Sequence, residues 1–111
     1  MFERDRQGGV DVIRGESPLT KDYLKQLDNL LEPLLRGGQA RIVFSMSEVP
    51  HIDSAGLENL LDVQDAFERR GGELKLAAPN SLCHEILTVT GVARRFEIFK
   101  DTTSAVGSFV Q

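Results

Sequence analysis

The chain opens with a pattern typical of a β-hairpin. Residues 10–13 (Val-Asp-Val-Ile) alternate between apolar and polar side chains, which predicts a strand. Gln-Gly-Gly at 7–9 predicts a turn that joins this strand to a frayed first strand at about 2–6. Short apolar runs predict three further strands, at 41–46, 73–78 and 96–99. The first of these runs has the composition of a buried central strand.

The first helix is predicted after Ser17 and Pro18, which fit an N-cap and the first helical position. Its apolar residues recur every three or four positions: Leu19, Tyr23, Leu27, Leu30 and Leu34. Pro33 predicts a kink or an early end, because proline cannot donate the helical hydrogen bond. Gly37 and Gly38 stop the segment in any case.

Three more helices follow in alternation with the strands. The second is predicted at about 54–70, with a buried side of Leu57, Leu60, Leu61 and Phe67 and a solvent side of Glu58, Asp62, Asp65 and Arg69. The third is predicted at about 81–90 with Leu82, Ile86, Leu87 and Val89, and the last carries Ala105, Val106 and Phe109. This alternation predicts an α/β fold: a mixed four- to five-stranded sheet with parallel inner strands, an antiparallel N-terminal edge hairpin and about four helices. We expect a single domain over residues 1–111.

Composition narrows the class of protein. The net charge of -4 argues against a nucleic-acid partner, which normally meets a basic surface. The single cysteine, Cys83, cannot form an internal disulfide and favours a reducing compartment. Cys83 is expected to be half-buried on the third helix. No signal peptide or membrane-length apolar run is evident, so we expect a cytoplasmic protein without direct membrane insertion.

Catalytic and cofactor motifs are absent from the sequence. It has no phosphate-binding P-loop, and no Cys or His pair has metal-ligand spacing, so no cofactor or metal is expected. His51, Asp53 and Ser54 are residue types of a hydrolase triad. They are too close in sequence for the histidine to bridge nucleophile and acid, so we expect no catalytic residues and no enzyme activity.

The stretch Asp53-Ser54-Ala55-Gly56 marks the junction before the second helix. Asp and Ser are common helix N-caps, and on physical grounds alone this structural role is favoured. A helix N-terminus also favours anions, so a phosphate on Ser54 would be accommodated there. It would add roughly -1.5 to -2 charge beside Asp53. The junction therefore permits a switch without requiring one.

The stretch HIDSAGLENLL at 51–61 resembles the signature of the STAS family, found in sulfate transporters and anti-sigma factor antagonists. The matching residues are Val49, Ile52, Asp53, Ser54, Ala55, Gly56, Leu57 and Leu60. The stretches RRGGELKLAAPN and ILTVTGVARRFEIF resemble later family segments, in the right order from about residue 10 to the C-terminus.

This resemblance implies an anti-sigma factor antagonist. In stand-alone family members the Ser or Thr after the Asp, here Ser54, is phosphorylated by an anti-sigma factor that is also a serine kinase, and a phosphatase reverses the change. Phosphorylation weakens binding to the anti-sigma factor. Asp53 is then expected to support the phosphosite and Gly56 to give the partner room, in a partner-binding set that also includes Ala55, Leu57 and Glu58.

Two departures from the family pattern bear on partner identity and kinase recognition. Ser45-Met46 stands where the family often has Asp-Leu, so an acidic neighbour of the switch is missing. After Gly15 and Glu16 the usual Leu-Asp is absent. Two alternatives stay open: a STAS subunit bound to the ATPase of a phospholipid-type ABC transport complex, and a non-phosphorylated scaffold of a sensory assembly. The sequence does not determine the oligomeric state.

Overall fold

The computed structural model describes residues 1–110. The strands are β1 (Phe2–Gln7), β2 (Val10–Gly15), β3 (Arg41–Ser45), β4 (Glu73–Ala77) and β5 (Ile98–Phe99). The helices are α1 (Leu24–Arg36), α2 (Ser54–Arg69), α3 (Ser81–Val89) and α4 (Thr102–Phe109), with a 3₁₀ turn at Val92–Arg95. The predicted order of elements is confirmed.

The five strands form one sheet in the order β1-β2-β3-β4-β5. β1 and β2 pair antiparallel, and all later pairs are parallel. β3 is the middle strand, as its apolar run predicted. Helices connect the parallel strands, so each of α2, α3 and α4 begins beyond a strand's carboxyl end.

The sheet has two unequal apolar faces. One carries Ile42, Phe44, Leu74 and Leu76 and packs on the main core with α1, α2 and α3. The other carries Val10, Val12, Val43 and Ala77 and is covered by Ala105 of α4, with Phe99, Val106 and Phe109 packed against it. Both faces are therefore buried, as expected for a largely parallel sheet.

Lys75 is buried on the α4 side of the sheet. Its Nζ donates to Ser108 Oγ at 2.8 Å, lies 3.3 Å from Glu97 Oε1, and lies 4.1 Å from the centroid of the Phe109 ring. A buried ammonium group is costly unless it is paired and hydrogen-bonded. These contacts compensate the charge and attach α4 to the sheet.

The prediction for the first helix is wrong at its start. α1 begins at Leu24, with Tyr23 as N-cap residue, whereas Leu19 lies in an isolated parallel bridge with Ile52. Because the backbone of Leu19 is paired in this bridge, the chain turns helical only after it. Ser17 is buried and accepts a hydrogen bond from the amino group of Met1. An early end at Pro33 is also wrong, since α1 continues to Arg36.

Other differences concern burial and strand length. β5 contains only Ile98 and Phe99, because the parallel register places Ile98 beside Leu76, near the end of β4. Leu82 and Val89 are exposed, by 51% and 74%, so α3 buries less of its apolar surface than its pattern suggests. Cys83 is fully buried rather than half-buried.

Candidate functional site

Ser54 is the first residue of α2, and its side chain is exposed. The preceding residue, Asp53, is the N-cap: its Oδ1 accepts a hydrogen bond from the Gly56 amide at 2.8 Å. The main-chain oxygen of Asp53 accepts from the Leu57 amide at 3.0 Å, which is the first bond of the helix. The predicted capping role of the Asp-Ser pair is therefore confirmed for Asp53. The Ser54 hydroxyl faces solvent.

The first turn of α2 retains the character of an anion site. The amides of Gly56 and Leu57 donate to Asp53. The amides of Ser54 and Ala55 lie too close to the helix start to reach an acceptor within α2. Together with the helix dipole, such amides favour a negative group at this end of a 16-residue helix. A phosphate on Ser54 Oγ would lie in this favourable field but next to the Asp53 carboxylate.

Two loops are hydrogen-bonded to each other directly before Ser54. The Leu19 amide donates to the His51 carbonyl at 3.0 Å, and the Asp53 amide donates to the Leu19 carbonyl at 3.1 Å. Asp53 Oδ2 also accepts from the Lys21 amide at 3.4 Å. The loop after β2, residues 16–23, and the loop after β3, residues 46–53, therefore form one joined surface, which we call the paired loops.

Gly56 allows this close approach. A Cβ at this position would lie 2.1 Å from the Leu19 carbonyl oxygen and 2.9 Å from a methyl group of Ile52. The space beside Gly56 is thus occupied by the chain's own backbone. Because Gly56 is buried, any contribution it makes to partner binding is indirect, through the position of the paired loops.

The start of α3 supports the second of the paired loops. Asn80 caps α3 by accepting from the Cys83 amide at 2.7 Å, and its Nδ2 donates to the carbonyls of Val49 and Pro50 at 3.1 and 3.4 Å. Cys83 Sγ lies 3.4 Å from the Val49 carbonyl oxygen. Burial raises the pKa of the Cys83 thiol, which therefore acts here as an uncharged donor.

The remaining predicted site residues differ in exposure. Glu58 is exposed and lies one turn along α2 from Ser54, on the same side of the helix. Ala55 and Leu57 are half-buried, and Leu57 packs against the main core. Sequence reasoning missed the contribution of Leu19, whose hydrophobicity and spacing imitated a helix.

A comparison within the chain shows what is special about Ser54. Three helices begin with a hydroxyl residue after a capping side chain: Asp53-Ser54, Asn80-Ser81 and Asp101-Thr102. In each, the capping oxygen accepts from an amide three residues later, at 2.8, 2.7 and 2.7 Å. Cap geometry therefore does not single out Ser54. Its distinction is that its cap, Asp53, belongs to the paired loops and bonds from one loop to the other, whereas Asn80 reaches only the second loop.

The two residues that stand where the family often has Asp-Leu, at positions 45 and 46, lie inside the protein. Ser45 and Met46 are both buried, and the Met46 amide donates to the Ala77 carbonyl at 2.8 Å. The position that often carries an acidic residue in the family is therefore internal in this protein, at the end of β3. Among residues 1–110, no group of three His, Cys, Asp or Glu side chains is arranged to hold a metal ion, and no helix is long and apolar enough to cross a membrane.

The mixed sheet and its N-terminal hairpin define a small α/β domain, and the exposed hydroxyl beside the paired loops is its candidate modification site. The family model described as STAS domain matches residues 1–105. The chain belongs to the STAS domain family, which confirms the family predicted from residues 49–60.

The similarity to known proteins covers nearly the whole chain. The anti-sigma F factor antagonist of Paenibacillus polymyxa is 26% identical over 109 residues, covering 95% of this chain and 91% of that protein. The structure of TM1081 from Thermotoga maritima matches with a TM-score of 0.91 at 20% identity, covering 99% of this chain and 95% of that one. SpoIIAA, a Bacillus cell fate determinant in its phosphorylated form, matches with a TM-score of 0.75 at 17% identity, covering 98% and 99%. The two solved structures share the fold.

Proposed function

We propose that this chain is an anti-sigma factor antagonist that phosphorylation of Ser54 switches off. The observation that carries the proposal is the exposed Ser54 hydroxyl on the first residue of α2, beside the paired loops. The 26% identity to a protein named as an anti-sigma F factor antagonist supports the same function. SpoIIAA, which shares the fold, was solved in a phosphorylated form, and this supports a phosphorylated state of the present chain.

The active form in this proposal is the unphosphorylated one. The paired loops and the first turn of α2 contact the anti-sigma factor, and the sigma factor is thereby released. Asp53 holds the two loops and the helix start together, and exposed Glu58 contributes a charge to the same surface. Ala55 and Leu57 give the first turn its shape, and the protein acts by binding rather than by catalysis.

Switching requires one phosphoryl transfer from ATP bound to the anti-sigma factor, which is then also a serine kinase. Ser54 Oγ forms a bond to the γ-phosphorus, the bond to the β–γ bridging oxygen breaks, ADP leaves, and the hydroxyl proton passes to a base of the kinase. The product carries roughly -1.5 to -2 charge beside Asp53 and one turn from Glu58. A partner that fits the surface with the carboxylates of Asp53 and Glu58 then meets a third acidic group. A phosphatase resets the switch by hydrolysing the phosphoserine to serine and inorganic phosphate.

Binding measurements on Ser54 variants test the proposal. With the cognate anti-sigma factor, Ser54→Asp should weaken affinity by at least about tenfold, because like charges or desolvated carboxylates at an interface cost several kcal/mol. Ser54→Ala should bind as tightly as the wild type and resist inactivation by ATP. Thr102→Asp is the matched control, since Thr102 is also a first helical residue behind a side-chain cap and lies outside the paired loops. Tight binding by Ser54→Asp would contradict the switch.

Phosphorylation itself is tested by intact-mass spectrometry of the protein from its native cells, with peptide mapping of residues 49–69. The peptides containing Ser81 and Thr102 serve as internal controls for unspecific modification of helix starts. A phosphoryl group on Ser54 alone is the expected result. An unmodified Ser54 in every growth condition, with a transporter ATPase co-purifying, would instead favour the transport-complex subunit; stable assemblies without phosphoryl transfer would favour the scaffold.

A further inference from the structure

β1 is the long free edge of the sheet. Within residues 1–110, β2 pairs with one side of β1 and no strand pairs with the other, whereas the opposite edge, β5, is only two residues long. A free edge of six residues presents backbone groups that no other strand pairs, although the Arg6 amide donates to Asp5 Oδ1 at 2.8 Å. Such an edge is a template for pairing with another chain.

Charge alternates in sign along β1. Glu3 and Asp5 occupy odd positions, Arg4 and Arg6 occupy even positions, and all four side chains are exposed. Because successive side chains of a strand point to opposite faces, one face of β1 is acidic and the other basic.

Within the hairpin, β2 complements charges of β1. In the antiparallel register Glu3 lies opposite Arg14, and Arg6 lies opposite Asp11 with 3.4 Å between Nη1 and Oδ2. β2 thus places an opposite charge across from two of the four charged residues of β1.

A second copy of β1 cannot do the same. Two identical edges that close into a dimer are related by a twofold axis perpendicular to the sheet, and the strands then pair antiparallel. This rotation leaves each side chain on its original face. Since residues directly opposite each other in an antiparallel pair share a face, odd positions always meet odd positions and even positions always meet even ones.

Both central registers therefore bring like charges together. With the axis at Arg4, the two Arg4 side chains face each other and Glu3 of each copy faces Asp5 of the other. With the axis at Asp5, the two Asp5 side chains face each other and Arg4 of each copy faces Arg6 of the other. Like charges directly opposite each other destabilise a strand pair.

We infer that the charge order of β1 keeps the free sheet edge from pairing with a second copy of this chain. Like charges oppose pairing with a second copy in each central closed register, whereas a strand with the inverse order of charges would place opposite charges against β1. This exclusion operates at the edge strand and is independent of the state of Ser54.

The test replaces two residues whose partners in β2 are uncharged. Arg4 lies opposite Ile13 and Asp5 opposite Val12, so Arg4→Thr combined with Asp5→Arg leaves the charge pairs of the hairpin intact. With the axis at position 4, Glu3 of each copy then faces the introduced arginine of the other. We expect the double variant to form a species of twice the wild-type mass in analytical ultracentrifugation.

A matched control separates charge order from the loss of Arg4. Arg4→Thr combined with Asp5→Glu keeps the acidic face and should retain the wild-type mass. Arg4→Thr combined with Asp5→Lys is a second doubling variant should the first unfold by circular dichroism. Failure of the folded variants to double in mass would overturn the inference. A wild-type dimer that Arg4→Pro dissociates would also overturn it, because the even-numbered amides of β1, like that of Arg6, do not face β2.

Discussion

Replacing Gly56 with alanine should destabilise the protein, although alanine is the better helix former. The added Cβ would lie 2.1 Å from the Leu19 carbonyl oxygen, while a carbon–oxygen contact needs about 3.3 Å. The paired loops must therefore separate by roughly 1 Å, which strains the bonds from Leu19 to His51 and from Asp53 to Leu19. Each bond contributes about 1 kcal/mol and overpacking costs about 1–3 kcal/mol, against a helix-propensity gain of up to about 1 kcal/mol. The net loss should be about 2–4 kcal/mol.

Thermal and urea unfolding followed by circular dichroism measure this loss. At about 4 °C or more per kcal/mol for a domain of this size, the melting temperature should fall by at least about 8 °C. Gly107→Ala in α4 is the matched control, because no atom outside its own stretch of helix lies within 4 Å of its added Cβ. That variant should gain about 0.5–1 kcal/mol. A Gly56→Ala protein as stable as the wild type would refute the reasoning about the close approach.

Three further predictions follow from contacts away from Ser54. Gln64→Leu should lower the free energy of unfolding, measured in urea, by about 2–5 kcal/mol. The substitution leaves the buried N–H and carbonyl of Leu74, which are bonded to Gln64 at 2.9 and 3.0 Å, without partners. Unchanged stability would contradict this role of the Gln64 side chain. Cys83 should resist alkylation by iodoacetamide in the native protein and react on unfolding, since burial raises the pKa of its thiol and hides it; rapid native labelling would show that the thiol is accessible. Hydrogen bonding to Arg95 lowers the pKa of Asp65, so the pair stabilises the fold above the ordinary aspartate pKa and loses this effect as the pH falls through the lowered value. Arg95→Ala should raise the Asp65 midpoint in a carboxyl NMR titration, and an unmoved midpoint would exclude this cause.

Much of the fold could be predicted because the strands and helices alternate with clear periods. The first helix was placed too early for an identifiable reason: Leu19 and Tyr23 have helical spacing, but Leu19 is used in the bridge to Ile52. A contact between loops more than thirty residues apart in sequence leaves no local periodic signal. Gln64 was missed for a related reason, since its polar type suggests exposure and only the tertiary structure supplies its buried backbone partners.

The sequence predicted the helix start that carries the candidate site, but not the contacts that build it. The residues Asp53 and Ser54 stand where the helix start was predicted, and Asp53 caps it as its residue type suggests. The reason for Gly56 differs from the one expected, because its open side is filled by the Leu19 carbonyl. Residue type indicated a small side chain at this position; the identity of the neighbour depended on the fold.

The way the paired loops are joined has a consequence for how such proteins diversify. Two of the contacts that fix them join main-chain atoms only: the Leu19 amide donates to the His51 carbonyl, and the Asp53 amide donates to the Leu19 carbonyl. Main-chain contacts do not depend on the identity of the exposed side chains at 21–23, 47, 48, 50 and 51. Substitutions at those positions can therefore alter which partner the protein binds, while Ser54, the proposed phosphoacceptor, stays in place. After a gene duplication, two copies could acquire separate partners through a few surface changes and keep the proposed switch.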